Sequence, residues 1–143
     1  MAKPYSPLFL ELERYPYRVD IATRFADMDI NGHINNVALS AAFEDARARF
    51  DFEYCMHASR GSVMTVATYI DYMAQAHYPQ PLHVAVGVVS IGTSSWVLAE
   101  LGMQDGVACA LCRVTMVNTD GAKARALSDG MQDMLAKMRM NLP

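Results

Sequence analysis

The sequence predicts an α+β domain in which one antiparallel sheet wraps one long helix. Three observations carry that expectation. An apolar alternation of period two comes first, a long stretch with helical spacing follows, and four further stretches then return to period two. With 143 residues, 52% hydrophobic and 19% charged, the chain can bury a core without disulfides and is too apolar to be disordered. No repeat, low-complexity tract or linker interrupts it, so residues 1–143 read as a single domain.

The first strand is expected from about Tyr15 to Ala26, where Tyr17, Val19, Ile21, Thr23 and Phe25 share one parity. A polar segment from Asp27 to Asn36 follows, with Gly32 at its centre. Asn is a favoured helix cap, so the pair Asn35-Asn36 marks a helix start. From Val37 to about Tyr54, Leu39, Phe43, Ala46 and Phe50 form one apolar stripe, and Asp45 and Arg49 sit at the favourable i, i+4 spacing. The opposite side carries Ala41, Ala48 and Phe52, so the helix is expected to meet a sheet on one side and another body on the other.

Strands are then expected over Ser62–Ala76, Leu82–Ile91, Ser95–Met103 and Val107–Asn118, all rich in Val, Thr, Tyr and Ile. Pro79, Pro81 and Gly92 punctuate them, and Asp105-Gly106 signals a tight hairpin. A last amphipathic helix, capped by Ser128, places Met131, Met134, Leu135 and Met138 on one face.

Several function classes are set aside. A net charge of -3 argues against a nucleic-acid partner, which normally meets a basic surface. No apolar run approaches the roughly 18 residues of a membrane span, and Met1–Pro7 leads into no secretory core, so a cytoplasmic, non-membrane protein is expected. Cys109 and Cys112 have knuckle spacing without a second pair. Three residues apart on a strand, they are expected on opposite faces, so no shared metal is expected. Three cysteines are an odd count in a chain whose core needs no disulfide framework.

The densest motif is Asp29-x-x-Gly32-His33-x-Asn35-Asn36, between the first strand and the helix. With Arg24-Phe25-Ala26-Asp27-Met28 before it, this segment resembles the strand-to-helix signature of the hotdog-fold thioesterases of the 4-hydroxybenzoyl-CoA type. The spacing of Asp29, Asn31 and His33 also resembles the Asp-Asn-His cluster of plant acyl-carrier-protein thioesterases. Ile70-Asp71-Tyr72 and the turn Gly92-Thr93-Ser94-Ser95 are similar to later family segments, so the resemblance spans roughly Tyr15 to Asn118. One departure is Ile30, where hydroxybenzoyl-type enzymes commonly have Pro; it weakens any transfer of aromatic substrate preference.

The resemblance implies a hotdog fold, in which about five antiparallel strands wrap the central helix, and hydrolysis of an acyl-CoA or acyl-carrier-protein thioester. Asp29 would be nucleophile or base, with Asn31 and His33 supporting it. Asn36, Val37, Ser94, Ser95 and Arg60 would contact substrate. Coenzyme A would enter as part of the substrate, with no resident cofactor, and a homodimer or tetramer would build pockets between protomers. The chemistry agrees: a thioester needs a nucleophile or base and donors for the oxyanion, and a helix N-terminus supplies such donors.

Alternatives stand beside this reading. Asp29 can be a turn residue, the asparagines and His33 loop formers. Glu44, inside the central helix, is a second candidate carboxylate, against its reading as a surface charge paired with Arg47. Asp27 reads as a solvated or loop-ordering acid. Met28, Met56, Met64 and Met73 read as core filling or as lining for an acyl pocket, while Arg60, Arg113, Lys123 and Arg125 are candidate phosphate partners. A silent acyl-thioester binding module and a hydratase or dehydratase on the same fold are the rival functions.

Overall fold

The computed structural model describes residues 5–54 and 62–143. Its elements run β1 (Tyr17–Ile21), α1 (Asn36–Glu53), β2 (Ser62–Tyr72), β3 (Leu82–Ile91), β4 (Ser95–Gln104), β5 (Val107–Thr119) and α2 (Asp129–Lys137). The five strands form one antiparallel sheet in the order β1-β3-β4-β5-β2, so β1 and β2 are the edges. This is the hotdog architecture.

The helix stripe behaves as its spacing dictates. Leu39, Phe43, Ala46 and Phe50 are all buried against the sheet, with β1 and β3 the main partners. Close approach is possible because residue 102 is glycine: a Cβ there would lie 3.2 Å from the Phe43 ring. Tyr17 and Phe50 meet edge-on at 5.5 Å. The opposite helix side is solvent-exposed, with Val37 80% and Phe52 65% exposed. On the other face of the sheet, Tyr15, Ala85, Ala99, Leu101 and Met140 form a separate cluster, covered by the chain's own first and last segments. Among the described residues no helix is long and apolar enough to cross a membrane.

Four expectations change. The first strand is only five residues long, because the chain turns at Arg24 and folds Phe25–Asp27 into a 3-10 turn. β2 stops at Tyr72 rather than Ala76, since the Met73 and Ala74 amides both donate to the Cys109 carbonyl. That carbonyl belongs to a bulge: Gly102 pairs with Ala110 and Met103 with Ala108, so Cys109 is the extra residue. The shift brings Cys109 and Cys112 into one buried cluster instead of onto opposite faces. Finally, Arg47 does not pair with Glu44; it bonds Glu100 on β4 at 2.7 Å.

Candidate active site

Beyond β1 the chain is tied down residue by residue. Thr23 Oγ1 donates to the Gln80 carbonyl at 2.9 Å. The Arg24 guanidinium grips Asp27, closest at 2.7 Å, and that hydrogen bond holds the Asp27 carboxyl below its usual range. Asp27 is therefore a loop-ordering acid, with its side chain 14% exposed.

The next seven residues make a small closed loop. Met28 and Ile34 bridge as in a hairpin, the Asp29 amide donates to the His33 carbonyl at 2.8 Å, and Gly32 supplies the φ of +76° that the reversal needs. Within it, Asp29 Oδ1 accepts from the Asn31 amide at 2.8 Å and from the His33 amide at 3.3 Å. Among the described residues, Oδ2 accepts no hydrogen bond. The contribution of Asn31 and His33 to Asp29 is thus made by their backbones.

Asn35 then starts the helix. Its Oδ1 accepts from the Ala38 amide at 2.8 Å, while its own amide and Nδ2 both donate to the Asp27 carbonyl. The cap satisfies Ala38 and leaves the Asn36 and Val37 amides open at the positive end of the helix dipole. Asn36, Val37 and Asp29 line one shallow cleft of about 540 Å³, together with Arg24 and Asp27. A carboxylate that shares a cleft with two free N–H groups can attack or activate water at a carbonyl whose oxygen those groups polarise.

Sequence reasoning did not single out the wall behind this loop. The Ile34 amide donates to the Ala76 carbonyl at 2.8 Å, the His33 ring meets the His77 ring edge-on at 5.1 Å, and Phe25 meets Tyr78 at 6.0 Å. Gln104, 5% exposed, holds that wall: its Oε1 accepts from the His77 amide at 2.8 Å, and its Nε2 donates to the His77 and Gln80 carbonyls. A lone Gln at a strand end gives no local signal of such a clamp.

The remaining expected residues fall elsewhere. Ser94 and Ser95 lie in the β3–β4 turn, where their carbonyls accept from Asn118 and Gly92. That turn is at the opposite end of β3 from Leu82, roughly 30 Å away at about 3.3 Å per residue. Within one chain they do not reach Asp29. Arg60, with Cys55 and Met56, lies outside the described residues. Glu44 is exposed on the solvent-facing side of α1. Met28 packs at the core beside the loop, whereas Met64 is exposed near the other end of β2. Among the described residues no group of three or more His, Cys, Asp or Glu side chains could hold a metal.

The profile of the thioesterase-like superfamily matches residues 23–138, which include this loop, α1 and all the strands after it. The chain belongs to that superfamily. Membership supports thioester hydrolysis as the broad activity. YsmA, an uncharacterised protein of Bacillus subtilis (strain 168), is 30% identical over 111 residues, 76% of each chain. Among solved structures, PA5185 from Pseudomonas aeruginosa PAO1 is 28% identical and superposes with a TM-score of 0.80, covering 92% of this chain and 97% of its own. A thioesterase from Thermus thermophilus, solved with coenzyme A and Zn, shares the fold at 23% identity and a TM-score of 0.79, covering 88% of this chain and 96% of its own.

Proposed function

We propose that the protein hydrolyses an acyl-CoA thioester to a carboxylate and free thiol, with Asp29 as nucleophile or general base. The observation that carries this reading is the shared cleft of Asp29 and the open Asn36 and Val37 amides. A thioester carbonyl laid over the helix terminus would meet donors for its developing oxyanion. The loop amides hold Asp29 Oδ1, leaving Oδ2 for water or the carbonyl carbon. The coenzyme A bound by the Thermus relative supports coenzyme A as the thiol; an acyl-carrier-protein thioester presents the same bond. The chemistry calls for no resident cofactor or metal.

The working unit we propose is a homodimer paired through β2. β2 is an edge strand, and it runs from Ser62, beside the Ser94 end, to Tyr72, at the Asp29 end. Antiparallel pairing of two β2 strands sets the Asp29 end of one copy beside the Ser94 end of the other. That arrangement supports a substrate role for Ser94, Ser95 and Arg60 that a single chain does not offer.

Asp29→Asn tests the reading. Asn keeps an acceptor for both loop amides but removes the charge, so turnover should fall by about a hundredfold or more. Binding of a non-hydrolysable acyl-CoA analogue should stay nearly unchanged, and Glu44→Gln should cost far less turnover. The reverse ranking would hand the chemistry to Glu44. If neither substitution matters, the second reading stands: an acyl-thioester binding module. The two loop amides already seated on Asp29 Oδ1 are the observation in its favour.

A further inference from the structure

The Asp29 cleft does not end at the helix terminus. Arg24, Asp27, Ala38 and Ala41 line it, and the same four residues line a second, narrower pit of about 280 Å³. This pit runs under the flank of α1 that carries Ala38, Ala42 and Asp45, spaced to share one side of the helix. Its inner wall is Ile21 and Leu82, the last rung of the β1–β3 ladder, together with Ile34 and Leu39, all buried.

The space exists because the helix presents alanine at 38, 41 and 42. Its rim charges are already matched, Asp27 by Arg24 and Asp45 by Arg49, and the inner wall is aliphatic. Such a lining suits an uncharged hydrocarbon group. An apolar cavity of about 150 Å³ takes up the six carbons of benzene, and on that scale a pit of about 280 Å³ holds roughly ten non-hydrogen atoms. A second hollow of about 250 Å³, under Phe50, Trp96 and Met116 on the β2 side, shares no lining residue with the Asp29 cleft.

We propose that the pit beside Ala42 is the acyl pocket, and that it selects uncharged acyl groups of up to roughly ten non-hydrogen atoms over long fatty chains. This rests on the thioester reading of the Asp29 cleft. The thioester carbonyl lies at the helix terminus, the acyl group turns inward past Ala38, and the thiol moiety leaves through the open cleft.

Ala42 lines the pit but not the cleft, so Ala42→Leu shortens the pocket without touching the proposed chemistry. Ala22→Leu, at the exposed rim, does the same from the opposite wall and disturbs no packed core. Thiol release is measured across a series of straight-chain acyl-CoAs, and affinity is measured by calorimetry for acetyl and octanoyl thioether analogues of coenzyme A. Because each methylene in a tight pocket is worth about tenfold or more, both variants should lose at least roughly tenfold toward octanoyl and stay within about twofold toward acetyl. An unchanged chain-length profile in both variants overturns the pocket, with or without turnover. A wild-type preference for the longest chains overturns it too. Octanoyl affinity that both variants weaken, in a protein with no turnover, supports the pocket and overturns only the hydrolase reading.

Discussion

Glu100 sits on β4 with no exposed surface, bonded through Oε2 to Arg47 and with Oε1 lacking a hydrogen-bond partner among the described residues. Burial pushes its carboxyl up to about 7, and the Arg47 guanidinium only partly offsets that. The folded value thus lies above the ordinary 4.5. The stability this contributes is fully present below about pH 4.5 and is lost as pH rises toward about 7, because the unfolded chain ionises first. The loss is on the order of 3 kcal/mol. Denaturant titrations between about pH 4.5 and 7.5 should therefore show stability falling with pH, and Glu100→Gln should flatten that slope while keeping an acceptor for Arg47. Equal slopes in the two proteins would place the titrating group elsewhere.

The connection from β1 to α1 is where element boundaries decide the site. Asn35 caps the helix and also ties it to Asp27 through Nδ2 at 2.7 Å. Asn35→Ala removes both and should cost about 2 kcal/mol, the upper end for a cap, in urea unfolding. Asn35→Asp keeps the capping acceptor and loses only the tie, so about 1 kcal/mol or less is expected. Equal losses would assign the stability to the tie rather than the cap. Thr23 and Ile34 are held by distant Gln80 and Ala76. The bonds that seat Asp29 and cap the helix, however, span eight residues or fewer, and this part of the segment was legible in the sequence. So was α1, whose stripe at Leu39, Phe43, Ala46 and Phe50 is buried as its spacing implies. The strands from Ser62 onward were legible through their alternation. What periodicity could not carry is long-range. Gln104 reaches back to His77, Glu100 takes the partner expected for Glu44, and one bulged residue turns Cys109 onto the side of Cys112. Each depends on sheet register, which a single strand's sequence does not encode.

Among the described residues, the β2 edge is left without a partner strand. β2 is an eleven-residue edge with Met64, Val66, Tyr69 and Tyr72 all about half exposed, and on α1 Val37 and Phe52 are exposed as well. Natural edge strands are usually short or guarded by Lys, Pro or inward charges, and between Ser62 and Tyr72 the only charged residue is Asp71. The outer sheet face, by contrast, is already covered by the chain's own ends, with Tyr15 and Met140 in contact with it. An assembly grown from the β2 edge closes by a two-fold axis, since two copies of one edge can satisfy each other. Light scattering at micromolar concentration should therefore give twice the chain mass. Ala67→Lys, near the middle of β2, sets two like charges close to the two-fold axis and should shift the mass toward one chain. If Ser94 and Ser95 serve the Asp29 of the other copy, thiol release should fall in proportion to the dimer lost, and raising the protein concentration should restore both together. Full activity in a monomeric Ala67→Lys protein would confine the reaction to the cleft and pit of a single chain.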